Sequence, residues 1–480
     1  VMVQAARGAT DPASRPTRYV FDEGHHVFDA ADSAFSAALT GREAAELRRW
    51  LRGVEGRRRS RSRGLRARAE DLVLEDEAGM DALDAAMRAA AALPGEGWPS
   101  RIPEGRPAGP AEAFLAAVRG QVYARAGDPD SPFDIECEIA EPVPGLIEAA
   151  AALDGALERL AQPLARLRRI LLDRLDAEAA TLDTATRNRL EALARSVEHR
   201  ALDSLAAWRA MLASLANGPP EEFTDWFQID RHEGRDLDVG MHRHWTDPTI
   251  PFARAVAGPA HGVLITSATL TDGSGDAEAD WQAAELRTGA IHLPAPAIRA
   301  AVPSPFDYAA QTRVLVVNDV RKDDLDQVAA AYRELFLAAG GGALGLFTAI
   351  GRLRAAHRRM AGALDEAGLP LYAQHVDGPS LPTLIDIFRA ERDACLLGTD
   401  AVRDGVDVPG PALRLIVFDR VPWPRPTILH RSRRKHFGAR LWDDSITRLR
   451  LRQAFGRLVR RADDRGVFVL LDPMMPSRLA

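Results

Sequence analysis

Apolar positions recur at steps of four and three through Leu153, Leu157, Leu160, Leu164, Leu167, Leu171 and Leu175. That spacing places the seven side chains on one face of a helix. A second run, Leu190, Leu193, Val197, Leu205, Trp208, Leu212 and Leu215, stops at Gly218-Pro219-Pro220, a strong helix terminator. Together they predict an antiparallel helical hairpin. The stretch from about 30 to 218 is rich in Ala, Leu and Arg and reads as mostly helical. Between about 94 and 110, Pro and Gly are dense, which predicts a loop.

Outside this stretch the pattern changes. Arg18-Tyr19-Val20-Phe21 reads as a short strand running into the acidic turn Asp22-Glu23-Gly24-His25. Trp226-Phe227-Gln228-Ile229 reads as a strand, and Gly262 to Thr266 as a buried strand leading into Ser267-Ala268-Thr269-Leu270. After Ser304-Pro305-Phe306, strand patterns at 313–318, 343–348, 394–399, 413–420 and 467–472 alternate with helical ones. Short apolar strands spaced by helices predict a parallel sheet covered on both faces. A parallel crossover needs about 30 residues. Asp22 and Ser267 are much further apart than that, so a helical domain inserted into one crossover is expected.

Composition adds bounds. A chain of 480 residues has room for two to four domains. No apolar run approaches the roughly 20 residues of a membrane span, and the N-terminus lacks a signal-peptide layout, so a cytoplasmic protein is expected. The start at Val1 rather than Met is what a piece of a longer product would show. Two cysteines, Cys137 and Cys395, supply neither a disulfide framework nor a four-cysteine cluster. A net charge of −6 excludes binding of nucleic acid by bulk charge alone. The cations are nearly all arginine; Lys322 and Lys435 are the only lysines.

Four stretches carry candidate chemistry. Asp22 and Glu23 at a strand end suit a site where Asp holds Mg²⁺ through its water shell and Glu activates water; two solvated carboxylates are the plainer reading. Ser267 and Thr269 can bond to that box and across a cleft, or merely end a strand. Gly398 to Gly410 is a polar loop punctuated by Gly405 and Gly410, able to touch a nucleotide and a phosphodiester backbone. Gln453, Arg457 and Arg460 recur at steps of four and three, so on a helix all three share one face, with Gly456 permitting close backbone approach. Arginines so placed can stabilise a transferring phosphoryl group, or form a solvated basic face. The arginine-rich run within 48–68, including Arg57, Arg58, Arg59, Arg61 and Arg63, can track phosphates or be a solvated loop. His242 and His244 lack further zinc ligands. Trp423 can stack on a base or form a rigid corner.

The order of these motifs resembles the superfamily 2 helicases of the DinG/XPD branch. Asp22–His25 matches motif II, with Gly24 where the superfamily often has Ala. Thr266-Ser267-Ala268-Thr269-Leu270 matches motif III, and Ser304-Pro305-Phe306 a marker at the entry to the second motor domain. Phe347-Thr348 matches motif IV, Thr399 to Gly410 motif V, and Gln453 to Arg460 motif VI. The resemblance covers about 1–30 and 221–480. It implies an α/β fold of two RecA-like P-loop NTPase-type domains, the first incomplete, with a large helical insertion similar in position to the family's Arch domain. The boundaries expected are 1–30 for the end of motor domain 1, 31–220 for the insertion, 221–303 for the rest of motor domain 1 and 304–480 for motor domain 2.

The resemblance further implies an ATP-dependent DNA helicase, 5′ to 3′ on single-stranded DNA, in repair or replication, and monomeric action is its expectation for assembly. Asp22 (Mg²⁺ through water), Glu23, His25, Arg457 and Arg460 are implied as catalytic. Gln453, Gly456, Gly405, Asp407, Ser267 and Thr269 are implied on the ATP side, and Thr348, Arg352, Thr399 and Trp423 on the nucleic-acid side. Motif V usually carries Glu where Asp404 stands. The family's Gly-Lys-Ser/Thr phosphate loop is not matched, because Lys322 precedes Asp323 and Lys435 precedes His436. This chain alone is therefore expected not to hydrolyse ATP. The family's iron–sulfur cysteines would lie upstream of motif II. The alternative is a helicase-like protein that holds nucleic acid without turnover.

Overall fold

The computed structural model describes residues 16–55, 64–405 and 407–479, without the side chains of 404 and 405. The arginine run at 57–63 lies outside the described residues. The strands are β1 (Arg18–Phe21), β2 (Ala37–Thr40), β3 (Ile135–Glu138), β4 (Phe223–His232), β5 (Arg235–Trp245), β6 (Gly262–Ile265), β7 (Thr312–Val316), β8 (Ala343–Leu346), β9 (Leu371–Ala373), β10 (Cys395–Gly398), β11 (Leu415–Phe418) and β12 (Gly466–Leu470). The chain divides into two compact units. One comprises Val1–Tyr19, Phe28–Val263 and Pro426–His436; the other comprises Val20–Val27, Leu264–Arg425 and Phe437–Ala480.

In the first unit the leucine stripe forms the helix Leu146–Ala177, with Leu153, Leu157, Leu160, Leu164, Leu167 and Leu171 all buried. The second run forms Thr184–Val197, a π turn at Glu198–Leu202 and Asp203–Asn217, all packed on the first helix. The Pro/Gly stretch holds one short helix, Trp98–Arg101, and the helix Gly109–Arg125 begins inside it.

These helices share their core with a four-stranded antiparallel sheet of order β2-β5-β4-β3. Strands β4 and β5 are far longer than the expected Trp226–Ile229. Their two-residue turn, Glu233-Gly234, has positive φ at both positions (51° and 79°), the type I′ geometry whose twist suits a hairpin. Phe227, Ile229, Val239 and Met241 face the helical core. The polar residues alternating with Val239 and Met241 obscured β5 as a buried strand. Within this sheet Asp225 lies opposite Arg243. The guanidinium grips both carboxylate oxygens at 2.8 and 2.7 Å, and the Asp225 side chain is 0% exposed.

Segment Pro426–His436 also belongs to this unit. The Ile428 N–H donates to Glu136 at 2.7 Å and the Thr224 hydroxyl to Ser432 at 2.7 Å. Arg433 donates to Asp32 at 2.7 Å, an oxygen that His244 Nδ1 also meets at 2.8 Å. His242 stacks on Trp226 with ring centroids 5.4 Å apart.

The second unit holds a six-stranded sheet of order β7-β12-β11-β8-β10-β9, parallel throughout. The five expected strands are present, each ending a residue or two early, and β9 is an added three-residue edge. Strands β8, β10 and β11 are wholly buried, as parallel strands covered by helices on both faces must be. Two expectations need correction. The strand ending before Ser267 is not buried: among the described residues β6 pairs with β1 alone, and Leu264 is 58% and Val20 70% exposed. Strand β7 is an edge, with Val314, Leu315 and Val316 exposed.

Replacing Arg243 with Leu should leave Asp225 charged and unpaired in the core, lowering stability by about 3–5 kcal/mol; chemical denaturation of the chain measures this. Burial pushes the His242 pKa from 6.5 down to about 4. The unfolded chain takes up that proton at the ordinary value, so stability is full above the unfolded pKa and is lost as pH falls toward the folded one. Relative to His242→Gln, the parent should lose about 3 kcal/mol across that window, read from denaturation midpoints at stepped pH.

Candidate functional site: an acidic box wired to an arginine helix

Strand β1 ends at Phe21 and delivers the acidic box. Asp22 Oδ1 accepts the Glu23 N–H at 2.9 Å, and Glu23 takes a left-handed backbone (φ 50°, ψ 46°). Such a conformation costs on the order of 1 kcal/mol or more in a non-glycine residue. Both side chains are exposed. Hard carboxylate oxygens in solvent at a strand end suit Mg²⁺. Gly24 is buried, its N–H donating to the Thr266 carbonyl at 2.8 Å. A Cβ there would lie 2.2 Å from Ile265 Cγ2 and 3.2 Å from the Thr266 oxygen. Close approach of the two strand ends thus explains glycine where alanine is common.

His25 turns inward. Its Nδ1 lies 2.7 Å from Ser267 Oγ and 3.3 Å from Thr269 Oγ1, and 3.3 Å from the Glu23 carboxylate. The Thr269 N–H donates to Ser267 Oγ at 3.1 Å. The structure brings Glu23, His25, Ser267 and Thr269 together.

The segment after Thr269 is gripped by the helix Ala439–Phe455. Arg452 donates to the Thr271 carbonyl at 2.6 Å. Arg448 donates twice to Asp272 Oδ2, at 2.7 and 3.1 Å, in a pair only 10% and 2% exposed. A hydrogen-bonded path therefore runs from Glu23 through His25 and the Ser267–Asp272 segment to the helix carrying Gln453. Arg448 and Arg452 were not among the expected site residues. Their spacing of four was visible in the sequence; their partners were not.

The helix stops at Phe455, so Gln453, Arg457 and Arg460 do not share one helical face, contrary to expectation. Beyond Gly456 the chain tightens: the Arg457 N–H bonds to Ala454 at 3.1 Å and the Leu458 N–H to Phe455 at 3.0 Å. Leu458 and Val459 then bury in the core, and Asp464 Oδ2 receives the Arg460 and Arg461 N–H groups, each at 2.8 Å. Burial of two apolar side chains outweighs continuing the helix. Arg460 reaches instead to Asp407, Nε to Oδ1 at 3.4 Å, joining two expected site residues from different motifs.

Thr399 directly follows β10, with its N–H and hydroxyl both on Gln374 Oε1 at 3.0 Å; Gln374, after the unexpected β9, had no local signal. The Thr348 N–H donates to Asp419 Oδ1 at 3.1 Å, and Arg352 Nε to Oδ2 at 2.6 Å. Asp419 is wholly buried, and desolvation raises its pKa despite Arg352. Arg352 also donates to the Lys322 carbonyl at 2.8 Å, so its guanidinium serves the sheet end. Trp423 is 39% exposed. Gly405 closes a helix begun at Asp400, and its surroundings, with residue 406, lie outside the described residues.

Residues 332–478 match the family model described as the helicase C-terminal domain. The chain is 36% identical over 239 residues to ATP-dependent helicase DinG of Mycobacterium tuberculosis, covering 47% of this chain and 33% of that protein. It is 26% identical over 289 residues to 3′-5′ exonuclease DinG of Bacillus subtilis, covering 57% and 30%. A solved XPD helicase chain is similar at TM-score 0.45 and 10% identity, covering 95% of this chain and 64% of that one. The chain spans about a third of the length of the curated relatives it matches. The ordered motifs, the match of residues 332–478 to the helicase C-terminal domain and these curated relatives together make the chain similar to the DinG-type superfamily 2 helicases.

Proposed function

We propose that this chain is the motor portion of an ATP-dependent DNA helicase that moves 5′ to 3′ along single-stranded DNA. The observation carrying this reading is the continuous path from Glu23 through His25, Ser267 and Asp272 to Arg448 and Arg452. A site that must sense a triphosphate needs its acid box and its arginine segment mechanically linked, and this path links them. Glu23 would take a proton from the attacking water while His25 holds its carboxylate. Asp22 would hold Mg²⁺ through water, and the ion would neutralise charge on the phosphates. Arg457 and Arg460 would stabilise the transferring phosphoryl group, with Gln453, Gly456, Gly405 and Asp407 lining the nucleotide side. Thr348, Thr399 and Trp423 would face the strand; Arg352 would act there through Asp419.

The 480 residues contain no Gly-Lys-Ser/Thr run, so we assign turnover to a protein that joins this chain to a phosphate loop. Such a protein would act as a monomer in the cytoplasm, in DNA repair or replication. No helix among the described residues is long and apolar enough to cross a membrane.

In that protein, Glu23→Gln should lower DNA-stimulated ATP hydrolysis by about 100-fold or more while retaining ATP binding. Parent-like turnover would remove Glu23 as the base. Arg457→Ala should lower turnover by about 1,000-fold with little change in DNA affinity; a matched loss of DNA affinity would place Arg457 on the strand instead.

A further inference from the structure

The first unit contains a pocket of about 380 Å³ far in sequence from the motifs above, within the range of small-ligand sites. Four elements build it. The helix Gly41–Arg52 brings Arg49 and Trp50, and the helix Arg66–Val73 brings Arg68. The π turn Glu198–Leu202 brings His199 and Arg200, and the helix Asp203–Asn217 brings Trp208. A π turn swells the helix and redirects its side chains, a device frequent at functional sites.

The arginines stand apart from their neighbours. In the same unit Arg48 and Arg52 sit on Glu55, Arg66 on Asp84, Arg189 on Asp71 and Arg209 on Asp154. Arg49, Arg68 and Arg200 are exposed, and none has an ion-pair partner among the described residues. The indoles form a rigid floor: Trp208 is fixed by its N–H on the Ala38 carbonyl at 2.7 Å, and the buried Trp50 Nε1 has no hydrogen-bond partner among the described residues. Glu43 and Glu46 also line the pocket. Carboxylates beside guanidiniums oppose a bare polyanion, but they accept hydrogen bonds from exocyclic base amines. Three unpaired guanidiniums, two acceptors and an aromatic floor match one nucleotide unit, phosphate and base together. A duplex presents its phosphates on a convex rod and cannot seat a nucleotide in such a concavity.

We propose that this pocket is a second nucleic-acid contact, holding a nucleotide of a single strand with its phosphates on Arg49, Arg68 and Arg200. The site is independent of nucleotide hydrolysis and is testable on the 480-residue chain without ATP. A short fluorescent single-stranded oligonucleotide would be titrated at stepped salt against the parent, Arg68→Glu/Arg200→Glu, and the control Arg189→Glu. The double variant should bind about tenfold or more weakly, with a salt slope shallower by about 2, and the control should match the parent. Photo-crosslinking should map to the peptides bearing Trp50 and Trp208. Equal affinity and slope in the double variant, with melting temperature unchanged, would overturn the proposal. So would inorganic phosphate competing as well as the oligonucleotide, which would make the pocket a site for free phosphate. Crosslinks confined to 304–479 with the pocket variant binding normally would place all strand contact on the motor, and Arg457→Ala would leave that outcome unaltered, so failure here is separate from failure of the ATPase reading.

Discussion

The pair between Arg448 and Asp272 is the constraint on which the site depends. Both groups are almost fully removed from water, so neither can exchange its partner for solvent without leaving a buried charge, a cost of several kcal/mol. The geometry is two-pronged on a single carboxylate oxygen, and Arg452, one turn later, takes the Thr271 carbonyl. The segment that holds His25 through Ser267 and Thr269 therefore has its downstream end pinned to the helix that leads into Arg457. A change in the position of that helix must be felt at His25, because the intervening chain is short and hydrogen-bonded at both ends.

The same logic sorts the arginines of the whole chain. In a protein that uses almost no lysine, guanidiniums do structural and chemical duty alike. Arg243 on Asp225, Arg433 on Asp32 and Arg352 on Asp419 are built into the fold. Arg243 grips both oxygens of Asp225, while Arg433 and Arg352 each divide the planar fork between one carboxylate oxygen and backbone carbonyls, a division of donors that suits a guanidinium. Arg49, Arg68 and Arg200 keep their forks turned toward solvent, and it is this contrast, not arginine content, that separates contact surface from scaffold.

Three local departures fall where the site is assembled. Glu23 holds a left-handed conformation, Gly24 admits no side chain without displacing Ile265, and the arginine helix breaks after Phe455 to bury Leu458 and Val459. Each trades local preference for placement: the first two bring a strand end against Thr266, and the third swings Arg460 to Asp407.

Much was legible in the amino-acid sequence because it is written in short-range periodicity: the leucine stripe from Leu153, the apolar cores of β8, β10 and β11, and the order of the acidic, hydroxyl and arginine motifs. A helix face or a buried strand requires only its own residues to announce itself. What tertiary structure alone decided was partnership. The sequence contains Arg352, Arg448 and Arg460 as equivalent cations; only the fold sets the first on Asp419, the second on Asp272 and the third on Asp407. Likewise β5, with polar residues on one face, became a strand because the other face met the leucine helices, and the helix end at Phe455 was set by a core hundreds of residues in the making. Charge pairing and burial depend on which distant groups are desolvated side by side, and no local pattern carries that information.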